Sequence, residues 1–281
     1  MADANEKKHV YAAETTVLSG KLKLPVEQQI EPQAHSKLSP EGGYFSQRSD
    51  GFSLESILSF RSAYSHVAGN LSLKAGEGWN TLTTTVVEGL NVLEVLTADR
   101  VVGQMITQHP LEKDHIPSIS FLGTHFENLR INGEPLELEI DSDIFGSKPA
   151  NDAPYTQDSG FIRRVASQYD RIHKHNHLPP VLRERYNYLS STLGATGAAE
   201  CSLVNQVAGR VPGNIFGHVI VIPGFGVITL GKLTVKHEKP HPDTKIPTKT
   251  TFHLTMIDLK LGCCIHGDVP VGDGTSNGTP G

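Results

Sequence analysis

Leu136-Glu137-Leu138-Glu139-Ile140-Asp141 is the stretch on which the fold class turns. Successive side chains on an extended strand point to opposite faces. Leu136, Leu138 and Ile140 therefore share one side, and Glu137, Glu139 and Asp141 the other. A strand of this kind rests one face on a core and wets the other, as antiparallel sheets do.

Outward from this segment the same texture recurs. β-branched and aromatic runs bounded by Gly, Asn, Asp and Pro predict strands at 9–18, 64–73, 81–87, 92–96, 100–108, 118–122 and 126–131, and again at 216–222, 227–237, 250–261 and 265–271. Between the two groups, residues 144–210 are rich in Pro, Gly, Asn, Arg and His, which predicts a long irregular excursion with one short helix near Val181–Leu189, after Pro179 and Pro180. Residues 1–143 form a first β half, 211–271 a second, and 272–281 a mobile Gly- and Thr-rich tail.

The halves echo each other. Val87–Val95 and Ile222–Leu230 share an apolar-x-Gly-apolar-x-apolar-apolar-x-apolar pattern, and Phe126–Ile131 resembles Met256–Leu261 at a similar distance downstream. The expected architecture is all-β: two packed antiparallel sheets, a β-sandwich of two pseudo-repeated halves around the excursion.

Composition narrows the function. Of 281 residues, 37% are hydrophobic and 20% charged, so the chain folds, and a net charge of −5 with scattered Lys and Arg leaves no stripe for a nucleic-acid backbone. The polar stretch Met1–His9 lacks the apolar core of a signal peptide, and no run is long enough to span a bilayer. Cys201, Cys263 and Cys264 encode no disulfide framework, which predicts reduced thiols and a cytoplasmic protein.

Several motifs carry chemistry in letters. His173, His175 and His177 alternate, and on an extended strand their three imidazoles would face one divalent metal. A solvated loop explains the same letters. No other cofactor has a motif. His237-Glu238-Lys239-Pro240-His241 spells a zinc-protease signature, but Pro240 and Pro242 forbid the helix that signature needs. Asp141-Ser142-Asp143 begins like a calcium loop and departs from one at Phe145.

No Gly-x-Ser-x-Gly elbow is present, and Gly224-Phe225-Gly226 reads as a turn. Trp79, with Tyr64 and His66 on a neighbouring strand, is the candidate surface for a carbohydrate or other small ligand. The leading expectation is a non-enzymatic β-rich protein that binds a protein or small-molecule ligand, or associates with itself through sheet edges. Two alternatives stand beside it. One is an enzyme whose histidines, including His109, His115, His125, His253 and His266, converge from loops; the other is a barrel enclosing an apolar ligand.

Overall fold

The strand read at residues 136–140 pairs separately, with residues 204–208, while the other strands build two large antiparallel sheets packed face to face. The computed structural model describes residues 9–24, 27–74, 77–111, 115–187, 197–238, 247–262 and 265–279. Its first eight strands are β1 (Val10–Leu24), β2 (Gln28–Lys37), β3 (Gly43–Ser49), β4 (Phe52–Leu54), β5 (Leu58–Phe60), β6 (Ser62–Leu71), β7 (Trp79–Val92) and β8 (Leu96–His109). Five short ones follow: β9 (Ser118–Ser120), β10 (His125–Glu127), β11 (Arg130–Ile131), β12 (Glu134–Pro135) and β13 (Glu137–Ile140). After helices α1 (Ser159–His173) and α2 (Pro180–Asn187) come β14 (Ala198–Ser202), β15 (Val204–Ala208), β16 (Asn214–Phe216), β17 (Val219–Ile222), β18 (Gly226–His237), β19 (Thr250–Gly262) and β20 (His266–Thr279).

The first sheet runs β16-β17-β18-β19-β20-β1-β2, with β14 also paired to β18. The second is built on β3-β6-β7-β8; β5 and β4 extend it beside β7, and β9, β10 and β11 line β8, with β12 beyond β11. β1 and β20 pack across β6, β7 and β8, so the expected sandwich is what the chain forms. The sheets do not close into a barrel.

A crease crosses the first sheet. The registers step over Gly231 opposite Met256, Met256 opposite Gly272, Gly272 opposite Val17, and Val17 opposite Ala34. On alternate strands the crease residue is left-handed, with φ of 58° at Gly231, 66° at Gly272 and 47° at Ala34. On the two strands between them, adjacent residues at the crease, Val17 and Leu18 of β1 and Met256 and Ile257 of β19, are both buried.

The interior is layered. The main apolar cluster joins Val17, Val87, Met105, Ile228 and Leu259 to Phe161 of α1, and a smaller one holds Tyr11, Ala13, Leu38 and Val67 against Trp79. Between the clusters each of six strands places a buried hydroxyl: Thr15, Ser36, Ser65, Thr83, Thr107 and Ser276. Thr107 Oγ1 meets Ser276 Oγ at 2.8 Å across the sheets, and Ser36 Oγ meets Ser65 Oγ at 2.6 Å.

The excursion is more ordered than its composition implies. β13 pairs with β15, and α1 opens on Asp158, whose carboxylate accepts from Phe161 N at 2.7 Å. Phe161, Val165, Tyr169 and Ile172 are buried along one face of α1. Phe161 stacks on Phe145 at 4.7 Å, and Phe145 meets Phe252 edge-on at 5.4 Å, which ties the helix to the sandwich. Each such ring contributes roughly 1.5–3 kcal/mol by burial. α2 falls where the short helix was expected.

Other expectations land differently. β1 and β2 of the first half complete the sheet of the second, and Gly272–Thr279, expected as a mobile tail, is strand between β19 and β1. Val87–Val95 ends β7 and turns into β8, whereas Ile222–Leu230 turns and then begins β18; Phe126–Ile131 spans two short strands, whereas Met256–Leu261 lies within β19. The repeated letters thus fall on different elements. None of the described helices is long and apolar enough to cross a membrane.

Candidate functional site

The outer face of the second sheet is laid out by register. Arg48 of β3 lies opposite Tyr64 of β6, Tyr64 opposite Val86 of β7, and Val86 opposite Val102 of β8. The next row is Ser46, His66, Thr84 and Gln104, and the third is Tyr44, Ala68, Leu82 and Ile106. Directly opposed residues share a face. Tyr44, His66 and Tyr64 therefore form a line of rings on the solvent side.

The centroids are 6.4 Å apart for Tyr44 and His66 and 6.3 Å for His66 and Tyr64, the latter pair tilted by only 8°. Tyr44 is 79% exposed and Tyr64 40%. Aromatic rings on a solvated face offer apolar, polarisable area together with the tyrosine hydroxyls.

Polar groups frame one end of the line. A shallow groove of about 250 Å³ is lined by Arg48, Ser62, Tyr64, Val86, Glu88 and Arg100. Ser62 Oγ donates to Glu88 Oε2 at 2.8 Å, and Arg48 Nε donates to Asp50 Oδ1 at 2.6 Å. Arg100 Nη1 lies 4.0 Å from Glu127, while its buried Nε has no hydrogen-bond partner among the described residues; the same holds for His66 Nδ1. The groove thus sets donors and one carboxylate beside a ring face.

A larger concavity of about 440 Å³ lies on the first sheet, and there the charges answer one another. His253 Nε2 is 2.5 Å from Asp273 Oδ1, which also accepts from Thr255 Oγ1 at 2.7 Å; Lys37 lies 3.7 Å from Glu14, and Lys249 3.5 Å from Glu238. Tyr11 is the one ring in its lining, and it is buried.

Tyr64 and His66 thus come together as read, and Trp79 is parted from them. The Trp79 side chain turns inward, stacked on His9 at 4.9 Å and 9°, with His9 in turn against Tyr11 and His109. Tyr44, which completes the row, was not singled out in the sequence.

His173 ends α1 with its Nε2 buried and without a hydrogen-bond partner among the described residues, His175 sits edge-on to Phe216 at 5.2 Å, and His177 is exposed. They occupy a helix end and a turn, so the alternation that would align three rings on a strand is lost. Among the described residues no three His, Cys, Asp or Glu side chains are gathered as metal ligands.

The other motifs resolve locally. His237 closes β18 and has a structural duty: Tyr155 N donates to its Nε2 at 3.0 Å, its Nδ1 meets Thr250 Oγ1 at 2.9 Å, and burial lowers its pKa to about 4. His241 lies outside the described residues, as do Cys263 and Cys264. In the calcium-like stretch, Asp143 N donates to Asp141 Oδ1 at 3.1 Å and Phe145 is buried, which makes a turn. Cys201 is buried, and desolvation raises its thiol pKa. His115 pairs with Asp152, His125 with Glu127, and His109 lies in the interior, so these rings have separate surroundings.

Residues 9–236, which include the whole aromatic row, match a family model described as Domain of unknown function (DUF8256). No curated protein and no solved structure matches the chain.

Proposed function

The chain belongs to that family, and we propose that it is a non-enzymatic carbohydrate-binding β-sandwich that takes its ligand on the outer face of the second sheet. The observation that carries this reading is the row Tyr44, His66, Tyr64 beside the groove of Arg48, Glu88 and Arg100. A sugar ring presents C–H bonds on its faces and hydroxyls at its rim. The faces suit tyrosine rings, and the rim suits a guanidinium and a carboxylate set side by side. Around the groove, Arg48, Arg61 and Arg100 are offset by Asp50, Glu88 and Glu127, which favours a neutral ligand over a phosphate backbone. No cofactor enters this reading, and the cytoplasm is its setting on the strength of the cysteine usage.

Screening the purified protein on a glycan array, followed by calorimetric titration of the best binder, tests it. Tyr44→Ala and Tyr64→Ala are each expected to weaken binding roughly tenfold, the loss of one stacked ring, with unchanged melting because both side chains are exposed. Absence of binding to every glycan, or undiminished binding by both variants, sinks the reading.

A further inference from the structure

Among the described residues, every open edge of the two large sheets is guarded except one. β2 carries Pro32 and the left-handed Ala34; β4, β9, β10 and β16 are three residues long; β12 is two residues and includes Pro135. β14 is five residues long and lies under α1, where Tyr169 Oη donates to Glu200 O at 2.9 Å and Gln168 Nε2 to Ser202 O at 2.8 Å. Short edges, prolines, bulges and covering helices are the ways a sheet avoids pairing with another chain.

β3 has none of these within its length: its one positive-φ residue, Gly43 at 97°, is its first, and its one charge, Arg48, is paired with Asp50. It runs seven residues, Gly43-Tyr44-Phe45-Ser46-Gln47-Arg48-Ser49, without proline, lysine or an acidic residue, and pairs on one side only, with β6. Six of the seven are exposed and Ser49 is half-buried. Phe45, which shares the inner side of the sheet, is still 44% exposed, although β2 packs alongside β3 and Ser49 Oγ donates to Gln33 Oε1 at 3.3 Å.

We infer that β3 is a homodimer edge, pairing antiparallel with β3 of a second copy about a two-fold axis through Ser46. The sequence is self-complementary in that register. Tyr44 falls opposite Arg48 of the second copy, and Phe45 opposite Gln47, so the dimer gains two cation–aromatic pairs, one on the Tyr44 of each copy, and no like charges oppose. An isologous pair uses up the edge on both sides and closes, so the product is a dimer and not a fibre. The two second sheets join into one, and their outer rows become one surface. This inference stands on the edge itself and not on the carbohydrate reading.

Light scattering across a concentration series, run beside hydrogen exchange, is the test. Wild-type protein is expected to move from 30.5 kDa to twice that mass as concentration rises, with amide protection gained at residues 44–48. Ser46→Lys sets two ammonium groups against each other at the axis and is expected to raise the dissociation constant at least roughly tenfold. Phe45→Lys, a second exposed position, is expected to do the same. Tyr64→Ala, which lies on β6, should keep the dimer whatever it does to glycan binding. A monomer at all concentrations up to several hundred micromolar, larger open-ended species, or dimerisation equal in wild type and both lysine variants overturns the inference.

Discussion

At the scale of the residue, His237 shows how a motif in letters becomes a packing element. Its neutral ring accepts from Tyr155 N and meets Thr250 Oγ1, and it lies at 6.2 Å and 17° over the Tyr155 ring. Since Nε2 accepts, the ring proton sits on Nδ1 and is donated to Thr250. Removing the ring strands a buried amide, at about 1–3 kcal/mol. His237→Leu is therefore expected to lower unfolding free energy by at least that amount, and His237→Gln, which returns an acceptor toward Tyr155, by less. Urea unfolding of the two variants checks this; equal losses would show that packing and not the hydrogen bond is what His237 supplies.

At the scale of the element, the hydroxyl layer makes a quantitative claim. Thr107 and Ser276 satisfy each other between the sheets, so Thr107→Val leaves the Ser276 hydroxyl buried without its partner, and the single change is expected to destabilise by about 1–3 kcal/mol. Adding Ser276→Ala removes both polar groups and should recover most of the loss; strictly additive single and double changes would mean that the contact contributes nothing. The same scale explains what the sequence showed and what it hid. Thr81–Val87 is legible because one face is buried and alternation follows, and Thr250–Leu261 because its apolar, β-branched run is buried on both faces over residues 254–259. β3 was not, since an edge exposed on both faces leaves no apolar stripe to read, and with it went Tyr44. α1 was hidden by its own chemistry: Phe161, Val165, Tyr169 and Ile172 keep helical spacing after the Asp158 cap, but Arg163, Arg164 and the buried Gln168 dilute the stripe. Gln168 is buried because it serves the Ser202 backbone, at 2.8 Å to the carbonyl and 3.0 Å from the amide, a tertiary role that no local pattern announces. Trp79 was misplaced for a simpler reason: a residue at the start of β7 can face either way, and only the register with Leu71 and His109 sets it inward.

At the scale of the whole molecule, buried imidazoles couple folding to pH. Burial lowers the pKa of His9 and His237 from 6.5 to about 4, and that of His109 and His218 to about 3. The four lie in three places: His9 and His109 against each other beside Trp79, His218 against Tyr186 at 3.2 Å, and His237 at the end of β18. In the unfolded chain each takes a proton near 6.5, while in the fold each stays neutral until pH 3–4. As pH falls below 6.5 the unfolded state therefore binds more protons than the native one, and stability drops by up to about 1.4 kcal/mol per pH unit for each ring. Above 6.5 both states are neutral at these positions and the dependence vanishes. Four rings acting together exceed the margin of an ordinary domain within a few pH units, so cooperative unfolding is expected between pH 6.5 and 4. The urea midpoint should accordingly be flat from pH 8 to 7 and fall steeply from 6 to 5. Replacing one ring, as in His109→Phe, removes one titrating site and should flatten that slope by about one proton, even where it lowers stability at pH 7. A midpoint unchanged between pH 7 and 5 would mean that these histidines protonate in place, and that the sandwich ends admit water far more readily than their packing implies.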